Sequence, residues 1–127
     1  MLNLYQEILM DHYKNPRNRG QLECYSFFTV QRNAACGDEI ICSGVIVDNK
    51  ITDIRFDGKG CVISQATASM LSEKVKQCEI QEISTLDKDS LLAMIGMSLG
   101  PVRMQCALLS LTALQEGISQ YNKKIKI

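Results

Sequence analysis

At Gly60 the sequence changes period. Before it, apolar residues alternate or run in short blocks between turn formers, and after it they recur every three or four residues. From Cys24 to Arg32 the residues Tyr25, Phe27, Phe28, Thr29 and Val30 favour a strand. From Glu39 to Val47 both alternating sets are apolar, Ile40, Cys42 and Ile46 against Ile41, Val45 and Val47, which predicts a central strand covered on both faces. Asp48-Asn49 is a tight-turn pair, after which Ile51 to Phe56 sends Ile54 and Phe56 one way and Asp53 and Arg55 the other. Three consecutive strands with short links predict an antiparallel meander.

Helices flank that meander. Residues 2 to 13 set Leu4, Tyr5, Ile8 and Leu9 on one side of a short helix, which Asn15-Pro16 ends because the residue before proline avoids the helical region. The stretch Asn15 to Gly20 is all turn formers and cations, and reads as a solvated loop open to a partner. After Gly60 a helix carrying Val62, Ala66, Ser69, Met70 and Val75 is expected to reach about Cys78. Thr85 or Asp87 can cap a shorter one containing Leu91, Leu92, Met94 and Ile95, ended by Gly96 and Gly100. Pro101 suits the start of a last helix striped by Met104, Ala107, Leu108, Leu111, Leu114 and Ile118, and the lysine-rich tail from Tyr121 to Ile127 is expected to fray. The fold class is therefore α+β: a three-stranded antiparallel sheet with an N-terminal helix and C-terminal helices packed over it.

A length of 127 residues supports one core, so residues 1-127 read as a single domain. Fourteen basic and fourteen acidic residues cancel and are scattered, which argues against a nucleic-acid groove or an anionic membrane surface. The opening residues show neither a signal peptide nor a membrane span, an expectation of cytoplasm, or of an organelle matrix where a transit segment has been removed. In such a reducing compartment six cysteines are metal ligands, reactive thiols or packing residues in preference to a disulfide framework.

Three of them stand where loops open. Cys36 lies in the polar run Asn33 to Glu39 beside Asp38, Cys61 follows Asp57-Gly58-Lys59-Gly60, and Cys106 follows Pro101 to Gln105. Three thiols and a carboxylate converging from separate elements fall within zinc's tetrahedral ligand set, and the same thiolates can hold a two-iron, two-sulfide cluster; the spacing admits both. Cys61 and Cys106 are expected in or just before first helical turns, where the macrodipole and unpaired N–H groups favour an anion. Cys24, Cys42 and Cys78 fall inside strand or helix patterns and are assigned to packing, Met94, Met97 and Met104 to the core, and His12 to a helix surface or helix end. A small domain with a purely structural zinc is the third reading, one in which chelation unfolds the chain.

Four motifs together, Tyr13-Lys14-Asn15-Pro16-Arg17-Asn18, Ala35-Cys36-Gly37-Asp38, Gly60 to Ser69 around Cys61, and Arg103-Met104-Gln105-Cys106, resemble the iron–sulfur cluster assembly scaffold family: the IscU and SufU proteins and the N-terminal domain of NifU. The resemblance spans nearly the whole chain and implies the same α+β fold. It implies that Cys36, Asp38, Cys61 and Cys106 hold a nascent, transient [2Fe–2S] cluster. That cluster is built from iron and from persulfide sulfur delivered by a cysteine desulfurase, then passed to apo iron–sulfur acceptor proteins. It further implies that Cys106 accepts the persulfide, that Asp38 keeps the cluster labile, and that Zn2+ fills the same site when no cluster is present. The alternative within the family is a zinc-dependent sulfur acceptor that relays persulfide sulfur from the desulfurase.

Two departures stand out. The IscU branch has a histidine before the third cysteine and the SufU branch usually a lysine, where this chain has Gln105. The stretch from Cys61 to Cys106 is short, as in the IscU branch, and lacks the insertion typical of SufU, while Leu99-Gly100-Pro101-Val102-Arg103 matches only in part the Leu-Pro-Pro-Val-Lys segment that engages an Hsp70-type chaperone.

Overall fold

The computed structural model describes residues 3–34 and 37–125. The elements run α1 (Leu4–Lys14), β1 (Phe27–Asn33), β2 (Asp38–Val47), β3 (Lys50–Lys59), α2 (Val62–Val75), α3 (Ile80–Ser84), α4 (Lys88–Ile95) and α5 (Pro101–Ile125). The α+β expectation holds. Local chemistry sets the helix ends: Asn3 and Gln6 form a capping box at the start of α1, and Asp87 does the same for α4 with Ser90. Gly96 closes α4 at φ +76°, with the Tyr5 ring lying where a Cβ would be.

The sheet is an antiparallel meander in the order β1-β2-β3, with Thr29 opposite Cys42 and Cys42 opposite Phe56. Asp48 and Asn49 both take positive φ, as the tight hairpin between β2 and β3 requires. The inward row Phe27, Thr29, Ile40, Cys42, Ile54 and Phe56 is buried beneath α5 and α2. Thr29 Oγ1 donates to the Ala113 carbonyl of α5 at 2.7 Å, and the Phe27 ring is wedged between Gly44 and Gly117.

Several expectations are corrected here. β2 is covered by helices on one face only: Val47 is exposed and Ile41 and Val45 are half-buried, so their branching reflects preference for a pleated surface and not two-sided burial. Ser43 on that outer face is covered by the segment before β1, where the Leu22 N–H donates to its hydroxyl at 3.1 Å. β1 begins at Phe27, leaving Cys24 exposed ahead of it. The tail does not fray at Tyr121, because that side chain packs on the core and α5 continues to Ile125. A short helix, α3, also occupies the stretch after Cys78.

The largest difference concerns the cationic loop. It is a strap, not a solvated loop: the Arg17 N–H donates to Ser69 Oγ at 2.8 Å, Asn18 Nδ2 to Ser72 Oγ at 3.0 Å, and the Phe56 and Gly20 N–H groups to the Asn18 and Phe56 carbonyls at 3.0 Å each. His12 is likewise buried between α1 and α2, with Nδ1 2.8 Å from Ser69 Oγ and Nε2 3.5 Å from Glu73 Oε1. Ser69 and Ser72 look like small members of an apolar stripe in sequence; buried, they are the partners that draw the strap and His12 inward.

Two outcomes follow from this packing. Alanine normally gains about 1 kcal/mol over glycine inside a helix, but a Cβ at Gly117 overlaps the Phe27 ring. Overpacking of about 1–3 kcal/mol should therefore win, and urea unfolding of Gly117→Ala should show a net loss of about 1 kcal/mol. Burial, and after it the Arg17 cation, hold His12 below the usual imidazole range against the pull of Glu73 and Asp11. A base whose folded pKa is depressed leaves the unfolded chain binding more protons, so stability present above about pH 6.5 is lost as pH falls from there toward the folded value. The urea midpoint should drop between pH 7.5 and 5.5 and stay nearly flat in His12→Gln, since His12 is the one histidine.

Candidate metal centre

The sheet register builds the site. Glu39 pairs with Lys59, so the start of β2 and the end of β3 lie side by side, and the residues just beyond them, Asp38 and Cys61, meet. Cys61 is the N-cap of α2, accepting the Ser64 N–H on Sγ at 3.5 Å. Its own N–H donates to Asp38 Oδ1 at 3.0 Å, and its Sγ lies 3.6 Å from Asp38 Oδ2. α5 brings Cys106 to the same point from the other side.

The sulfurs of Cys61 and Cys106 and a carboxylate oxygen of Asp38 all lie within 4.8 Å of one another, and among the described residues this is the one such group of metal-ligating side chains. Three of the four residues expected from sequence are thus brought together; Cys36, two positions before Asp38, lies outside the described residues. Asp38 and Cys106 are buried, at 2% and 3% exposure, while Cys61 is exposed. Cys106 stands in the second turn of α5, not the first, so the helix-end field expected to act on both thiols reaches it less than Cys61. A tetrahedral zinc with bonds of about 2.3 Å to sulfur separates its donors by about 3.7 Å, so the widest pair here need close by only about 1 Å. Two soft sulfurs and one hard oxygen suit zinc or iron chemistry and exclude a site for magnesium or calcium, which take oxygen donors.

The other cysteines divide. Cys42 is a core residue as expected, its thiol pushed far up by burial. Cys78 is half-buried just past α2, with Sγ 3.2 Å from the Lys74 carbonyl, and Cys24 is exposed, so its assignment to packing is corrected. Gln105 is exposed on α5.

Two features escaped the sequence reading. An apolar cleft opens beside Cys61 and Cys106, walled by Leu9 and Met10 of α1, Ile63 of α2, and Met97 and Val102 around the start of α5. Its residues come from α1, α2, α5 and the turn between α4 and α5, and no one stretch of sequence declares it. The other is the closeness of Gly60 to the carboxylate, which neither its turn nor its motif declares: a Cβ there would lie 2.5 Å from Asp38 Oδ1. Among the described residues no helix is long and apolar enough to cross a membrane.

Comparison with known proteins agrees with this fold. Residues 4–127 match the family model described as NifU-like N terminal domain. The zinc-dependent sulfurtransferase SufU of Bacillus subtilis is 34% identical over 134 residues, covering 92% of this chain and 90% of the relative. The iron–sulfur cluster assembly scaffold protein IscU 1 of Archaeoglobus fulgidus is 33% identical over 121 residues, covering 95% and 78%. The crystal structure of an N-terminal NifU-like protein from Brucella abortus superposes with a TM-score of 0.80 at 19% identity, covering 95% of this chain and 96% of that one, which is a likeness of fold.

The difference in burial between the two thiols is directly measurable. With metal-free protein and N-ethylmaleimide, peptide mapping by mass spectrometry should find Cys61 modified at least about tenfold faster than Cys106. Equal rates would contradict the placement of Cys106.

Proposed function

Since the chain belongs to the NifU-like N-terminal domain family, we propose that it is a scaffold for iron–sulfur cluster assembly, a binding and transfer protein formed by one domain over residues 1-127. It holds a nascent [2Fe–2S] cluster on Cys36, Asp38, Cys61 and Cys106 and passes it to apo-proteins. The observation that carries the reading is the convergence of Asp38, Cys61 and Cys106 from three different elements, with donor atoms within 4.8 Å. Iron is the cargo, and the sulfur comes as persulfide from a cysteine desulfurase. A site thiolate attacks the outer sulfur, the desulfurase thiolate leaves, and an external reductant supplies the two electrons that turn the bound sulfur into sulfide.

Each residue has a part. Cys61 presents an exposed sulfur steadied by the Ser64 N–H, and Cys106 and Asp38 close the buried side. A carboxylate is a harder and weaker partner for iron than a fourth thiolate, which favours release of the cluster. Val102 and Arg103 are exposed at the start of α5, where an Hsp70-type chaperone can reach the Leu99 to Arg103 segment. A site built on thiolates needs a reducing compartment, so the reading puts its work in the cytoplasm or an organelle matrix.

The Bacillus relative motivates a second reading, a zinc-dependent sulfur relay with Cys106 as acceptor. Against it, the archaeal relative whose alignment covers 95% of this chain is named as a scaffold.

The deciding experiment is anaerobic reconstitution with ferrous iron, cysteine and a cysteine desulfurase, followed by visible spectroscopy and metal analysis. Charge-transfer bands that are lost in Cys61→Ala and decay when an apo-ferredoxin is added are the expected result. A colourless protein that keeps zinc and accelerates the desulfurase, with the acceleration abolished in Cys106→Ala, would replace the scaffold by the relay.

A further inference from the structure

We propose that Gly60 is a positioning residue for the Asp38 carboxylate, and that its lack of a side chain lets the carboxylate face the site where a metal would be held. The inference rests on the scaffold reading, because it concerns the same ligand set. Asp38 Oδ1 is engaged by the main chain: it accepts the Cys61 N–H at 3.0 Å. Oδ2 is the oxygen turned toward Cys61 Sγ, at 3.6 Å. The main-chain hydrogen bond fixes the direction in which the carboxylate faces the site, as second ligand shells do elsewhere.

The space for that arrangement exists because residue 60 has no side chain. A Cβ at Gly60 would lie 2.5 Å from Asp38 Oδ1, 2.8 Å from Asp38 Cγ and 2.6 Å from Ser64 Oγ. Ser64 is itself buried and tied down, with its N–H on Cys61 Sγ at 3.5 Å and its hydroxyl donating to the Cys61 carbonyl at 3.1 Å. The carboxylate and the serine hydroxyl therefore fill the volume that any side chain at position 60 needs. All three crowded atoms belong to side chains. An added methyl is relieved by turning the carboxylate away, which removes Oδ1 from the Cys61 N–H and Oδ2 from the site. Gly58 offers the contrast: a Cβ there meets main chain, with the Glu39 carbonyl carbon at 2.9 Å and Ile40 Cα at 3.2 Å, so crowding at Gly58 disturbs the sheet and not the ligand.

The test uses cobalt(II) alone as probe, added to metal-free protein under anaerobic conditions, because its d–d bands report the ligand set without any assembly reaction. Wild type, Asp38→Ala, Gly60→Ala, Gly58→Ala and the Asp38→Ala/Gly60→Ala double variant are compared, with thermal midpoints measured alongside. In Gly60→Ala the d–d bands should coincide with those of Asp38→Ala, and cobalt affinity should fall by about tenfold in both. The double variant should match Asp38→Ala in bands and affinity, since the two changes act through one group. Gly58→Ala should lower the thermal midpoint and keep wild-type bands.

Wild-type bands and affinity in Gly60→Ala would overturn the inference, as would a further tenfold loss in the double variant or the Asp38→Ala spectrum in Gly58→Ala. If Gly60→Ala does not fold, the double variant decides: its folding with the Asp38→Ala spectrum supports the inference, and its failure to fold places the constraint in the main chain and overturns it. A wild-type protein that binds no cobalt would overturn the scaffold reading and this inference together, whereas failure of Gly60→Ala alone leaves the scaffold reading standing.

Discussion

Burial of one face of a three-stranded sheet governs the molecule. The inner rows, led by Phe27, Ile40, Cys42, Ile54 and Phe56, have no second sheet to meet, so α5 and α2 must lie across them. Full burial of side chains of this size is worth about 1.5–3 kcal/mol each, far more than any single polar contact in the fold. That demand fixes the helices. With the sheet antiparallel, the end of β2 that begins at Asp38 and the end of β3 that finishes at Lys59 fall together. A helix starting immediately after β3 to cover the sheet must therefore start beside Asp38. The proximity of a carboxylate to the Cys61 cap is thus a result of register and of the direction in which α2 has to run. Close approach of α5 to β1 is secured by glycine in the same way, with Gly117 and Gly44 on either side of Phe27.

The N-terminal part of the chain closes the molecule by different chemistry. α2 carries buried hydroxyls at Ser69 and Ser72 where a helix of this kind would ordinarily present carbon, and His12, Arg17 and Asn18 supply their partners. Buried polar groups left unmatched are costly, so the strap and α1 are held to α2 by need as much as by attraction. The consequence for the site is indirect. α1, fixed by His12 and Leu9, contributes Leu9 and Met10 to the wall of the cleft beside Cys61 and Cys106. The same strap hydrogen-bonds to Phe56 and so braces β3 just ahead of its end at Lys59.

What could be read from the sequence was whatever a single element declares. The period change at Gly60, the Asp48-Asn49 turn, the Asp87 cap and the Gly96 stop each depend on a few neighbouring residues, and each is found where expected. Asp38, Cys61 and Cys106 were identified by the turns around them and by family likeness, and the structure brings them together. Features set by contacts across the chain were not legible. His12 has nothing in its own helix to announce Ser69, fifty-seven residues later, as its partner. Both alternating sets of β2 carry apolar residues, yet the outer set stays half open, because a period reports shape and cannot report how many layers the fold has. Cys24 belongs by composition to a strand that the chain enters three residues later. Neither its turn nor its motif declares how close Gly60 comes to Asp38.

The asymmetry of the site carries a further consequence on the scaffold reading. An oxidised two-iron cluster brings two positive charges and its four anionic ligands four negative ones, so the loaded site is a dianion set partly inside a protein. Burying uncompensated charge is expensive, and α2 relieves it: its N-terminal end, with Ser64 N–H on Cys61 Sγ, faces the sulfur with donors and the positive end of a dipole. Cys61 is exposed, so water reaches the site from the α2 side. On the buried side the hard carboxylate of Asp38 is the weakest ligand for iron. A cluster would then give up its carboxylate bond before the Cys61 thiolate, steadied by the Ser64 N–H, released it.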